Sequence, residues 1–89
     1  MVLVKRLVLD VLKPHQPNAL EFAQAIASAD GECQVRVTVI EVDENTETLQ
    51  VVVEGDAIDF ETVQSSISDL GGSLHSIDEV EVQAKDQDS

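Results

Sequence analysis

Three features of the amino-acid sequence predict an α+β domain in which two helices pack on one face of a four-stranded antiparallel sheet. Strand-like and helix-like stretches follow one another as strand, helix, strand, strand, helix, strand. The opening stretch from Val2 to Pro17, VLVKRLVLDVLKPHQP, is almost continuously apolar until Pro14. Such a strand is buried on both faces and lies inside a sheet, not at its edge. Finally, 43% of the 89 residues are hydrophobic, enough for one core and too many for a disordered chain.

In the first strand Leu7, Leu9 and Val11 alternate with Val8, Asp10 and Leu12. Asp10 is a carboxylate inside the strand, where an ionised group is costly unless something pairs with it. Pro14 and Pro17 bracket a turn, Pro14-His15-Gln16-Pro17. Asn18 with Glu21 three residues on has the form of a capping box. Leu20, Ala23, Ile26 and Ala27 then follow at helical spacing, with Phe22 flanking them, and Asp30-Gly31 ends the helix.

From Gln34 to Val42 the run QVRVTVIEV sets Val35, Val37 and Val39 on one face. The phase shifts at Ile40 and Val42, which predicts a bulge or strong twist. Asp43-Glu44-Asn45-Thr46-Glu47 is a polar turn, and Leu49, Val51 and Val53 resume the alternation, so the two strands form a hairpin closed by Gly55 and Asp56. Asp59 has the position of an N-cap, with Ile58 placed to staple onto Val63. Val63, Ile67 and Leu70 form the second helix's buried stripe, and Gly71-Gly72 stops it. The last strand is SLHSIDEVEVQ, Ser73 to Gln83. Residues 1–83 thus read as a single domain and 84–89 as a polar tail.

Right-handed crossovers turn this order into a ferredoxin-like βαββαβ sandwich with strand order 4-1-3-2. Two helices cover one sheet face only. Val4, Val8, Leu12 and Val52 are left on the other, and a contiguous apolar patch in water marks an interaction surface. The expectation is a homo-oligomer, in which the open face or a sheet edge packs on another copy.

Charge narrows the functional classes. Eighteen acidic residues face five basic ones (Lys5, Arg6, Lys13, Arg36 and Lys85), a net charge of -13. Such a surface repels nucleic acid and anionic membranes and attracts cations. It also has the character of an acidic coat adapted to high salt. The aromatic residues are Phe22 and Phe60 alone, so the stacking platform of an RNA-recognition sheet is missing. Cys33 is the single cysteine, which excludes an internal disulfide and a cysteine metal cluster. The apolar N-terminal run is too short to span a bilayer, and Lys5-Arg6 falls inside it instead of ahead of it, unlike a signal peptide. A cytoplasmic location is expected.

Two groups of residues have metal-ligand chemistry. If the first and last strands pair, Asp10 approaches His75 and Asp78, with Ser76 and Glu79 beside them. That constellation reads either as a polar clasp between strands or subunits, or as a metal site or acid-base pair. The second group is the acidic turn, where Asp43 and Glu47 lead with Glu44, Asn45 and, further on, Glu54. Asp43-x-Asn45-x-Glu47 begins like a calcium loop and Glu54 falls at its twelfth position. Thr48 replaces the required glycine, however, and the following residues read as strand, so an EF-hand fails. Clustered carboxylates can still hold a hard cation such as calcium, especially with a neighbouring subunit's oxygens. A further acidic group, Glu54, Asp56, Asp59 and Glu61, reads as surface and helix cap. His15, in the Pro-bracketed turn, reads either as a ligand or, as a lone loop histidine usually is, as simply exposed. No Ser or Cys nucleophile motif accompanies any of these residues, and no catalytic residue is assigned. The competing class is a regulatory domain that senses a small molecule at subunit interfaces, although such domains carry a glycine in the turn after the first strand.

The segments RLVLDVLKPHQP, VIEVDENTETLQVVVEG and GGSLHSIDEV resemble the signature blocks of a small archaeal family, the domain of unknown function 211. The resemblance covers nearly the whole chain. It implies a ferredoxin-like fold, an archaeal source, assembly into a homo-oligomeric ring and divalent-cation binding, with no enzymatic activity. The acid load exceeds that family's usual balance and points to a salt-loving source.

Overall fold

The structure, a computed structural model, describes residues 1–85. The chain runs β1 (Val2–Pro14), α1 (Ala19–Asp30), β2 (Cys33–Val42), β3 (Thr46–Gly55), α2 (Phe60–Asp69) and β4 (Ser73–Ala84). Of the polar tail expected at 84–89, residues 86–89 lie outside the described residues. The sheet order is β2-β3-β1-β4 and each neighbouring pair is antiparallel, the ferredoxin-like arrangement. β1 is central, as its two apolar faces demand.

The core is built where β1 and β3 face each other. Leu7 stands opposite Val53, Leu9 opposite Val51 and Val11 opposite Leu49, all of them buried. Directly opposed aliphatic side chains pack on a pleated surface and exclude water together. Phe22 and Ile26 of α1 and Val63 and Ile67 of α2 close over them, with Ile58 at one end.

Both helices begin where short side chains satisfy their free amides. Asn18 Oδ1 accepts from the Glu21 amide at 2.9 Å, and Glu21 Oε1 accepts from the Asn18 amide at 3.1 Å. Asp59 Oδ1 accepts from the amides of Glu61 and Thr62. The apolar stripe of α1 differs from the expected one. Phe22 and Ile26, one turn apart, are buried, whereas Leu20 is 66% exposed. Two residues apart means about 200° around the helix axis, so Leu20 and Phe22 cannot both face the sheet. The larger aromatic surface takes the inside.

Four bulges set the sheet's surface pattern. β2 carries an extra residue, Ile40, between the pairs Val39–Leu49 and Glu41–Thr48. Where β1 meets β4, Lys5 is the extra residue on β1, and Asp78 and His75 are extra residues on β4. The Lys5 bulge overturns part of the expected open-face patch. Beyond the Lys5 bulge the alternation changes phase, and Val4 packs against the helix-side core.

The rest of that patch is also not left in water. Val8 and Val52 face each other across β1 and β3 at 6% and 7% exposure, and Leu12 is half-buried. Beside the two valines, Arg6 spans three strands: Nη1 donates to Glu54 at 2.8 Å on β3, and Nε donates to Glu79 at 2.6 Å on β4. The open face is therefore mixed, apolar beside an ion-paired cluster. Exposed apolar side chains gather elsewhere, at Ile77, Val80 and Val82 on β4 and at Val39, Ile40 and Val42 on β2.

Candidate functional site

The β-bulges decide the fate of the first candidate group. Asp10 is half-buried and stands between Gln50 of β3 and Ser76 of β4. His75 is the extra residue between the pairs Asp10–Ser76 and Val11–Leu74, and it is exposed. Among the described residues, no hydrogen bond joins Asp10 to His75, so the clasp expected between them is not formed. Asp78, extra in the neighbouring bulge, accepts from the Ser76 hydroxyl at 2.7 Å. The strands do pair, but the two bulges remove both side chains from register with Asp10.

The second group contains a built polar cluster, and its centre is Lys13. Strand alternation places residue 13 on the same face as Leu7, Leu9 and Val11, so the ammonium enters the end of the core. Lys13 is 1% exposed. Its Nζ lies 2.9 Å from Glu47 Oε1, the residue directly opposite on β3. It also donates to the carbonyls of Pro14 at 2.8 Å and Pro17 at 2.7 Å, with that of His15 at 3.5 Å. The turn that supplies these carbonyls is tight, with a cis peptide between Gln16 and Pro17. A buried ammonium is tolerable only when ringed by acceptors in this way.

His15 completes the cluster. Nδ1 lies 3.1 Å from Glu47 Oε2, and Nε2 lies 3.0 Å from the Glu44 carbonyl at the tip of the β2–β3 hairpin. The Lys13 hydrogen bond, followed by that of His15, holds the Glu47 carboxyl below the usual carboxylate range. Glu47 and then the Glu44 carbonyl push the His15 imidazole upward. Both oxygens of Glu47 are engaged by positive or donating groups, which makes it a poor ligand for a cation. Asp43, by contrast, is exposed on the turn, where its backbone amide donates to the Thr46 carbonyl at 2.8 Å. Among the described residues, no three His, Cys, Asp or Glu side chains converge to hold a metal ion.

Reasoning from sequence missed Lys13 and, although it placed His15 in the turn, missed its contacts with Glu47 and Glu44. The signal was present in the parity of residue 13 with 7, 9 and 11. Following the alternation only as far as Leu12 left that parity unused. Elsewhere an open groove of about 390 Å³ runs between α1 and α2, lined by Ala29, Thr62, Ser65, Ser66 and the carboxylates of Asp59, Glu61 and Asp69. Asp59 is already committed as a cap. Burial, and then Asp30, push the Cys33 thiol up, away from the reactive thiolate. No helix among the described residues is long and apolar enough to cross a membrane.

Comparison with known proteins agrees with the resemblance read from the sequence blocks. The family model for the domain of unknown function 211, described as uncharacterized ArCR, matches residues 5–85. The chain is similar to the uncharacterized protein MJ0319 of the archaeon Methanocaldococcus jannaschii, with 44% identity over 77 residues. The match covers 86% of this chain and 79% of that relative. The span matched by the family model takes in the Lys13 cluster, the hairpin and β4. The chain belongs to the domain of unknown function 211 family.

Proposed function

We propose that this chain is a non-enzymatic building block that associates with copies of itself along β4 and binds divalent cations at the contacts so formed. The observation that carries the reading is the row Ile77, Val80 and Val82. These residues pair with Leu9, Leu7 and Val4, so they continue the helix-side core outward, yet they are 47%, 51% and 54% exposed. β4 is an edge strand, and apolar side chains that extend a core into water are the material of a subunit interface. His75 and Asp78 lie on the same strand, with Asp10 beside it on β1. A second copy packed against β4 adds carboxylates to these, giving an ion such as calcium the oxygens that one chain does not assemble. Glu47, held by Lys13 and His15, has no part in this reading. The acidic exterior and free Cys33 suit a reducing, salt-rich cytoplasm.

Native mass spectrometry at micromolar concentration tests the assembly. Wild type should be oligomeric, and Val80→Lys should shift it toward monomer without loss of the far-ultraviolet circular-dichroism signal. A monomeric wild type overturns the proposal. Calorimetry with calcium, magnesium and zinc on chelator-stripped protein tests the second half. Absence of heat, together with unchanged oligomer size, rejects cation binding.

A further inference from the structure

The His15 ring is placed between two acceptors. Glu47 Oε2 faces Nδ1 at 3.1 Å and the Glu44 carbonyl oxygen faces Nε2 at 3.0 Å. A neutral imidazole has one N–H, so it satisfies one acceptor and turns a lone pair toward the other. Only the doubly protonated ring donates to both. We infer that His15 is a proton-operated latch, which in its charged form ties the tip of the β2–β3 hairpin to the turn between β1 and α1 and on losing a proton releases the tip.

The surroundings favour this two-state behaviour. From β3 the ring faces the Glu47 carboxylate, and from the hairpin it faces the backbone of Asp43 and Glu44. From β1 the nearest charge is Lys13, which acts on the ring through the shared carboxylate. The loop after α2 approaches this turn with Gly71, whose nearest neighbour is Pro14, and that residue brings no charge. The imidazolium also adds one positive charge to a chain of net charge -13, which the overall field favours.

Release is local. Lys13 stays bound to Glu47 when His15 becomes neutral, so the last hairpin pair, Val42–Glu47, remains tied and the sheet register is kept. What the proton controls is the turn Asp43 to Asn45, which lies beside the exposed apolar residue Val42. The device thus sets how an apolar, acidic hairpin end is presented to whatever meets it.

Heteronuclear NMR across about pH 5 to 9, the range in which imidazoles titrate, tests the latch on the intact chain. The His15 ring nitrogens should titrate at a higher midpoint in the folded protein than in the same protein unfolded in urea. The Glu44 carbonyl carbon and the amides of Asp43 to Thr46 should shift with that same midpoint. His15→Gln should abolish the hairpin transition, and Glu47→Gln should lower its midpoint. The inference is overturned if folded His15 titrates at or below its unfolded midpoint. It is equally overturned if the hairpin resonances ignore the His15 transition in wild type, a result that needs no variant to fold.

Discussion

Among the described residues Lys13 is the buried charged side chain, its ammonium enclosed by the Glu47 carboxylate and by carbonyls of the turn after β1. Replacing it with Met keeps the aliphatic stem but leaves the Glu47 carboxylate and the Pro14 and Pro17 carbonyls without their donor. Breaking a buried pair from one side costs roughly 3–5 kcal/mol. Urea denaturation of Lys13→Met should show a loss of that order, and Lys13→Met with Glu47→Leu should recover part of it. The same cluster sets two limbs of a pH profile. Glu47 is depressed in the folded chain, so its contribution is present above its unfolded value and is lost as pH falls through the folded one. His15 is raised, so its contribution is complete below its unfolded value and is lost as pH rises through the folded one. Urea midpoints measured against pH should therefore fall off on both sides, and His15→Gln should flatten the alkaline side and, because His15 also helps to hold Glu47 down, weaken the acid side. None of this was evident from His15 as a loop residue. Its partners lie 29 and 32 positions away, and only the hairpin's return brings them to it.

Among the elements, the helices were the most legible parts. Asn18, Glu21 and Asp59 act on amides within three residues, so their chemistry is local and readable from spacing. Asn18→Ala and Asp59→Ala should each lower stability by about 1 kcal/mol in thermal or chemical melts. Gly72 makes a different demand. A Cβ there would come within 2.9 Å of Ile67 Cγ2 and 3.3 Å of Phe22 Cζ, both in the core. Overpacking of this kind costs about 1–3 kcal/mol, so Gly72→Ala should melt earlier than wild type. The strands were less legible than the helices. Ile40 announced its bulge by breaking an apolar alternation, whereas His75 and Asp78 sit in a run where polar and apolar residues give no clear phase. The expected meeting of Asp10 with His75 failed for that reason.

At the scale of the whole molecule, self-repulsion among the carboxylates opposes the compact state, and dissolved salt screens it. The Debye length falls from about 10 Å at 0.1 M to about 3 Å at 1 M. The melting temperature should rise steeply as potassium chloride is added over that range, and a flat response would show that the acid coat is not a destabilising field. Strand order, the caps, the central place of β1 and family membership were determined by the sequence alone. Each depends on periodicity and short-range spacing, which the chain carries locally. The tertiary structure alone decided that Lys13 meets Glu47, that Arg6 bridges Glu54 and Glu79 beside Val8 and Val52, and that His75 stands apart from Asp10. These contacts depend on register between strands, where an offset of one residue moves a side chain to the other face. No single strand encodes that offset; it is settled only when the bulged strands pack together.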